Sequence, residues 1–283
     1  MKKVGLYPAR LGSRALVAAV AAAALPAAAQ MSSQNFAGPY DPTISVTLGG
    51  VVNRFDTSVR LDGQTQRGTD FALEDNGLDS SSSSFTAGLT WRIAQRHRVD
   101  FNYFESKRSG ERTYSNEIDI GDSTFPLGAT VGIQAKDQFF FADYRYSLIQ
   151  DPTFELAALF GIYGGKFTFD INAVGNAGNS SNTYNKSVST GLPLPLIGLT
   201  ADWYPDRQWH MAAQFEGLKA KVGDVDGHAY VAGAALEYMF TRGWGMGARY
   251  DYTEIKADVT KGDFNGNFAW KTSAVSLYAK LVF

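Results

Sequence analysis

Residues 85–93, FTAGLTWRI, alternate without a break between apolar residues and small or polar ones. The odd positions carry Phe, Ala, Leu, Trp and Ile, and the even positions carry Thr, Gly, Thr and Arg. A period of two places successive side chains on opposite faces of a β-strand. The stretch therefore predicts a strand with one apolar face and one face that is polar or small.

The same alternation returns along most of the chain. It is found at 154–162, 209–215, 230–240, 244–252 and 275–283. The pattern predicts an all-β fold, and it leaves two architectures open, because the strands of a soluble sandwich alternate as well.

Three features favour a transmembrane barrel over a sandwich. The face opposite the apolar one is unusually polar, with Arg92, Asp100, Asn102, Asp143, Arg145, Asp202, Glu216, Glu237, Arg249, Asp251 and Lys280. Short turns near 94–97, 150–153, 205–208 and 241–243 alternate with longer connections, and aromatic residues flank these turns. Outer-membrane barrels have a polar lumen, short periplasmic turns, long external loops and aromatic girdles.

The rhythm of turns predicts ten strands, at 43–61, 84–94, 97–108, 131–149, 153–170, 188–204, 208–222, 228–241, 244–257 and 268–283. An even number returns both chain ends to the periplasmic side. Eight strands would need longer loops, and twelve would leave little loop. The predicted fold is a closed antiparallel up-and-down transmembrane barrel over 43–283.

The first residues have the pattern of a secretory signal. Four basic residues precede a short Ala-rich apolar stretch at 15–25, and three alanines at 27–29 supply a cleavage site. The apolar stretch is shorter than the ~20 residues of a membrane-spanning helix. We expect a cleaved signal at 1–29, a periplasmic lead-in at 30–42 and location in the bacterial outer membrane. Loss of the signal takes the formal net charge from −2 to −6.

Composition excludes several function classes. The chain has no Cys, which excludes a disulfide scaffold, a thiol nucleophile and a thiolate metal site. With three His and no glycine-rich nucleotide motif, we expect no metal and no cofactor. The negative charge favours no nucleic-acid partner.

Several stretches resemble an uncharacterised family of proteobacterial outer-membrane β-barrel proteins. They are 68–78 (GTDFALEDNGL), 96–103 (RHRVDFNY), 118–122 (IDIGD), 144–147 (YRYS) and 192–199 (LPLPLIGL). The chain also ends on Phe283, which resembles the C-terminal signature of bacterial outer-membrane barrels. The resemblance implies recognition of Phe283 by the barrel assembly machinery, contact with outer-membrane lipid and lipopolysaccharide, and a monomer. It transfers no catalytic residue.

Seven charged residues are predicted to face the lumen near the periplasmic turns: Arg92, Asp100, Arg145, Asp202, Glu237, Arg249 and Lys280. Because the signs are mixed, pairing into a salt-bridged plug is one interpretation. The other is a selectivity constriction in a narrow, porin-like route for small solutes. Small barrels fill with side chains, which favours the plug.

Pro193 and Pro195 lie two residues apart in one predicted strand, so both lack a backbone N–H on the same side. Proline inside a sheet belongs to edges or bulges. We expect a weakened seam near the outer end of this strand. It is either a bulge that merely ends the pairing, or a lateral gap that admits a lipid or another hydrophobic molecule.

A third motif lies in the fourth external loop, where Asp226 and His228 are two residues apart. Glu117, Asp119 and Asp122 lie in the second external loop, and such a dyad facing carboxylates could activate water. The arrangement loosely resembles the omptin proteases, which implies an outer-membrane hydrolase as a further alternative. The other enzymatic alternative is a lipid A-modifying enzyme, by analogy with barrels whose lateral gaps are flanked by prolines. Asp-Gly also simply makes turns, so our main expectation is a protein without catalytic residues.

Overall fold

The structure is a computed structural model that describes residues 40–41, 43–62, 67–68, 70–75, 77–115, 118–120, 123–125, 128–177, 180–222, 224–260 and 265–283. These residues form thirteen strands: β1 (Thr43–Leu61), β2 (Asp70–Ala72), β3 (Ser81–Ala94), β4 (His97–Thr113), β5 (Ile118–Ile120), β6 (Ser123–Phe125), β7 (Thr130–Asp151), β8 (Phe154–Ala177), β9 (Ser180–Trp203), β10 (Trp209–Val222), β11 (Val225–Met239), β12 (Trp244–Val259) and β13 (Gly266–Val282). No helix among them is long and apolar enough to cross a membrane. The predicted signal at 1–29 lies outside the described residues and stays a prediction.

Ten strands form a closed wall within the described residues, and β2, β5 and β6 are short additions in the connections. Consecutive wall strands pair antiparallel, and β13 closes the ring on β1 from Ser45↔Val282 to Leu61↔Gly266. The backbone N–H of Phe283 donates to the carbonyl oxygen of Ile44 at 2.8 Å. Closure of β13 on β1 removes the two terminal strand edges that an open sheet would expose to lipid. The predicted all-β fold, an antiparallel up-and-down barrel of ten strands, is confirmed.

Several strands extend further than the alternation predicts, and they do so at the end that carries the long connections. The loop predicted at 171–187 is wrong, because β8 and β9 stay paired from Phe154↔Trp203 to Ala177↔Ser180. The hydrogen bonds of a ladder are made by backbone groups and do not depend on the side chains. A segment rich in Asn, Gly and Ser can therefore extend a hairpin where neither face has to be apolar. We call this end the loop end, and the end with the short connections the turn end.

The outward face forms an apolar belt. Ile162 and Leu277 are each 63% exposed, and Phe215 is 58% exposed. In the first seven residues from the turn end of each described wall strand, the outward positions carry no Asp, Glu, Lys or Arg except Asp151, the last residue of β7. Trp91, Trp203 and others lie outward at the turn end, so the belt is bordered by aromatic rings.

Candidate functional site: a plugged lumen and an interrupted seam

Charged side chains from opposite walls meet inside the barrel near the turn end. The Arg92 guanidinium donates to both carboxylate oxygens of Glu155, at 3.2 and 2.7 Å. Because β3 and β8 are not neighbours in the ring, this pair crosses the lumen. Arg98 on β4 also reaches across, with Nη2 at 3.0 Å from Asp202 on β9. All four side chains are buried.

A histidine continues the network on the other side of Asp202. One ring nitrogen of His210 lies 2.8 Å from Asp202 Oδ1, and the other lies 2.7 Å from Glu237 Oε2. Glu237 also accepts from Lys280 Nζ at 2.6 Å and from the Tyr278 hydroxyl at 2.9 Å. Arg98 Nη1 also lies 3.9 Å from Glu155, so the chain of contacts runs without interruption from β3 to β13.

The structure places all seven predicted lumen charges on the inward face: Arg92, Asp100, Arg145, Asp202, Glu237, Arg249 and Lys280. It joins six of them into one network, in which Arg145 contacts Asp100 at 2.7 Å and Arg98 lies 3.7 Å from Asp100. Arg249 is separate, because its guanidinium binds Asp251 on its own strand at 2.8 Å. The seven therefore do not form a single connected layer.

Arg98, Glu155 and His210 connect this network, and sequence reasoning did not select the first two. Glu155 and Arg98 follow turns directly and share the parity of the inward residues, so the alternation contained the signal. His210 is expected from the sequence to be a structural lumen residue, and its position between two carboxylates depends on which strands are neighbours. With Arg98 and Glu155 included, four cations and four carboxylates meet around one histidine.

Two tyrosines cover this network at the mouth of the barrel. Tyr204 is one of the turn-flanking aromatic residues that the sequence assigns to the periplasmic girdle. This assignment is wrong, because the Tyr204 ring stacks on His210 with centroids 4.6 Å apart and planes 8° apart. Tyr40 precedes β1, yet its hydroxyl donates to the Phe154 carbonyl oxygen at 2.9 Å, on the far side of the ring. Tyr40 therefore lies across the turn-end mouth.

Aromatic rings close the lumen above the charges. The rings of Phe139 on β7 and Trp270 on β13 lie 4.8 Å apart, and those of Phe167 on β8 and Phe268 on β13 lie 4.7 Å apart. Since β13 lies across the ring from β7 and β8, these contacts span the full width of the barrel. Phe167 is completely buried. Within the described residues, the lumen is thus crossed twice, by charges and by rings.

The wall itself is interrupted between β9 and β10. Their ladder runs for seven pairs, from Trp203↔Met211 to Ile197↔Gly217, and then stops. On the two sides, β9 remains paired with β8 and β10 remains paired with β11 up to Val222↔Val225. We call the unpaired interval between β9 and β10, from Pro195 and Leu218 toward the loop end, the seam.

The prolines predicted to weaken pairing lie at the start of the seam. The β8–β9 ladder continues through Tyr163↔Leu194 and both prolines. The β9–β10 ladder ends at Ile197, two residues closer to the turn end than Pro195. Just below, β9 and β10 are in close contact, and a Cβ on Gly198 would collide with the Phe215 carbonyl oxygen. The change from close contact to no pairing therefore occurs within three residues of β9.

Leucines lie behind the seam. Leu196 is 1% exposed and belongs to the buried apolar cluster that contains the aromatic rings. Leu194 on β9 and Leu218 on β10 pack against the same cluster. The seam therefore faces an apolar interior rather than the charged network.

The loop motif is not assembled into a described catalytic group. His228 lies on the outward face of β11, with Nε2 at 3.6 Å from Glu254 Oε1, and Asp226 is exposed. Glu117 and Asp122 lie outside the described residues, and so does the side chain of Asp119. The described residues contain no group of three or more His, Asp or Glu that could hold a metal ion.

Comparison with known proteins supports the fold. No protein-family model matches the chain, and no curated protein matches it. The outer-membrane protease OmpT from Escherichia coli is similar with a TM-score of 0.59 at 10% identity, covering 89% of this chain and 100% of that chain. The Pseudomonas putida toluene transporter TodX (TM-score 0.36, 9% identity, 89% and 95% coverage) and Ail of Yersinia pestis (0.31, 14%, 86% and 99%) are more distant. The likeness to OmpT extends to the barrel fold alone.

Proposed function

We propose that the protein is a non-enzymatic integral barrel of the bacterial outer membrane, closed to ions, that takes an apolar chain into its wall at the seam. The observation that carries the proposal is the end of the β9–β10 ladder at Ile197↔Gly217, in front of a buried leucine and aromatic interior. Support for the membrane location comes from the outward apolar belt with its border of aromatic rings at the turn end, as in membrane barrels.

The filled lumen argues against a route for small solutes. Buried charges of opposite sign in direct contact are held by their partners, and removing either partner leaves an uncompensated charge. The rings of Phe139, Phe167 and Trp270 then block the lumen a second time. We therefore favour the plug over the selectivity constriction.

Two ladders of the wall stop while both of their strands continue, β9–β10 at the seam and β3–β4 beyond Thr86↔Phe104. Beyond Thr86 the two sides are still joined, since the Ser82 and Ser106 hydroxyls lie 2.7 Å apart and the backbone N–H of Asp79 donates to the Ser109 carbonyl oxygen. An unpaired backbone polar group facing hydrocarbon costs several kcal/mol. Gly217 lies eight residues from the turn end of β10, which corresponds to about 20 Å for a tilted strand. The seam therefore begins inside the outer half of the apolar band, where acyl chains can reach it.

A reversible disulfide across the seam tests this function, and the natural chain has no Cys to interfere. Continuing the register beyond Ile197↔Gly217 places Leu194 opposite Ala220. We expect the reduced Leu194→Cys/Ala220→Cys variant to retain a palmitoyl lipid in native mass spectrometry, and the oxidised form to lose it. The control is Leu199→Cys/Phe215→Cys, a pair that is already joined in the ladder, which should bind in both states.

Retention of the lipid by the oxidised seam variant would overturn the proposal. Loss of the lipid from the oxidised control would do so as well, because binding would then not depend on the seam. The catalytic alternative has its own test, since purified protein should hydrolyse neither peptides nor lipids.

A further inference from the structure

Basic side chains appear on the outward face where the apolar belt ends. They are Arg54, Lys107, Lys136, Lys166, Lys219, Lys221, Lys256 and Lys271. Each lies 10 to 15 residues from the turn end of its strand, about 25 Å or more along the barrel axis. This is the level at which the head groups of the outer leaflet begin.

Half of these basic residues already have acidic partners. Lys107 and Lys136 both contact Glu105, at 3.2 and 3.5 Å, and Lys256 contacts Glu254 at 2.7 Å. Lys271 lies 3.7 Å from Asp56. Within the described residues, Arg54, Lys166, Lys219 and Lys221 have no ion pair.

Two of the unpaired cations stand at the seam. Lys219 and Lys221 are both exposed, and they lie on β10 two and four residues above Gly217, where β9 no longer pairs. They have the same parity as Phe215, so both point outward. Asp226 on β11 lies opposite Lys221 but makes no ion pair with it in the described structure, and Lys219 has His228 opposite. The two like charges on β10 repel each other, and an anion between them removes that repulsion.

We propose that the seam binds an anionic phosphate-bearing acyl lipid, whose head group is held by Lys219 and Lys221 and whose chain enters beside Leu218. This inference rests on the proposed function and adds the chemistry of the ligand. The lysines lie at about 25 and 30 Å from the turn end, and the seam begins at about 20 Å. The head group would therefore lie farther out than the acyl chain, as it does for a lipid in the outer leaflet.

The test reads chain entry in nanodiscs with a fluorophore on Ala220→Cys. The discs consist of unlabelled phosphatidylcholine with a small fraction of one brominated lipid, either brominated phosphatidylglycerol or brominated phosphatidylcholine. Bromine on the acyl chain quenches the fluorophore on contact. A basic residue near a lipid surface contributes about 1 kcal/mol, or roughly fivefold in affinity. We expect phosphatidylglycerol to quench at a roughly 25-fold lower fraction, and Lys219→Ala with Lys221→Ala to abolish this preference.

Arg54→Ala with Lys166→Ala is the matched control, because these two residues are also basic, outward and unpaired at the same level. The control should keep the preference. Equal quenching by both lipids in the unsubstituted background would overturn the head-group assignment and leave the seam standing. If the control variant loses the preference for phosphatidylglycerol to the same extent, the preference belongs to all the outward basic residues together, which also overturns the site. Quenching by neither lipid would overturn the seam function itself.

Discussion

Replacing Glu155 by Gln tests whether the charge network holds the barrel together. The Glu155 side chain is 2% exposed, and it accepts two hydrogen bonds from Arg92 and one from the Ser147 hydroxyl, with Arg98 at 3.9 Å. The amide keeps the volume but removes the charge, so Arg92 loses its only carboxylate partner among the described residues.

Removing one member of a buried pair costs about 3–5 kcal/mol. Because the amide of the Glu155→Gln variant would still offer one carbonyl oxygen, we expect the lower end, about 3 kcal/mol, or more than a hundredfold in the folded-to-unfolded ratio. The assay is urea-induced unfolding in phospholipid vesicles, followed by tryptophan fluorescence. Arg92→Met with Glu155→Leu removes both charges and should lose less than the single substitution.

Glu105→Gln is the matched control. Glu105 also contacts two basic side chains, Lys107 and Lys136, but it lies on the outward face and its side chain is 30% exposed. An exposed pair contributes about 1 kcal/mol or less. If Glu155→Gln costs no more than Glu105→Gln, the lumen network does not stabilise the fold and the plug interpretation fails.

Three further results are expected. Pro193→Val with Pro195→Val restores two N–H donors and should extend the β9–β10 ladder, so lipid retention in native mass spectrometry should fall several-fold; unchanged retention would contradict a role for the prolines. The unsubstituted protein should be silent in planar bilayers, and Phe167→Ala with Trp270→Ala should give at most brief steps, because the charge network remains below; stable steps from the unsubstituted protein would contradict a closed lumen. His228→Ala should leave lipid retention unaltered, and peptide hydrolysis by the unsubstituted protein that this substitution abolishes would restore the catalytic alternative.

Alternation predicted which face each residue occupies, because parity is a property of the strand alone. This is why Arg92, Asp202 and Glu237 could be assigned to the lumen from sequence. Their partners could not be assigned, because contacts across the lumen depend on the offset between strands that lie far apart in the ring. The Arg92–Glu155 pair joins β3 to β8, and no local sequence pattern indicates how these two strands are placed relative to each other across the lumen.

The loop end was predicted less well for a related reason. Alternation is required where one face meets lipid, and beyond the membrane this requirement disappears. The segment at 171–187 therefore has the composition of a loop, although its described residues pair with one another as the ends of β8 and β9, up to Ala177↔Ser180. Tyr204 illustrates the opposite error, since an aromatic residue beside a turn fits a girdle and a lumen mouth equally well.

The proposed closed lumen and open seam together restrict the kind of function that fits. A chain that enters beside Leu218 meets Leu196 and then the rings around Phe167, all within one apolar cluster. Beyond it lie Arg145 and the paired charges, where an apolar chain would separate ions that are buried and in contact. An apolar chain therefore leaves most favourably through the seam by which it entered. The seam therefore suits binding, or exchange with the outer leaflet, and does not suit passage through the barrel to the turn end.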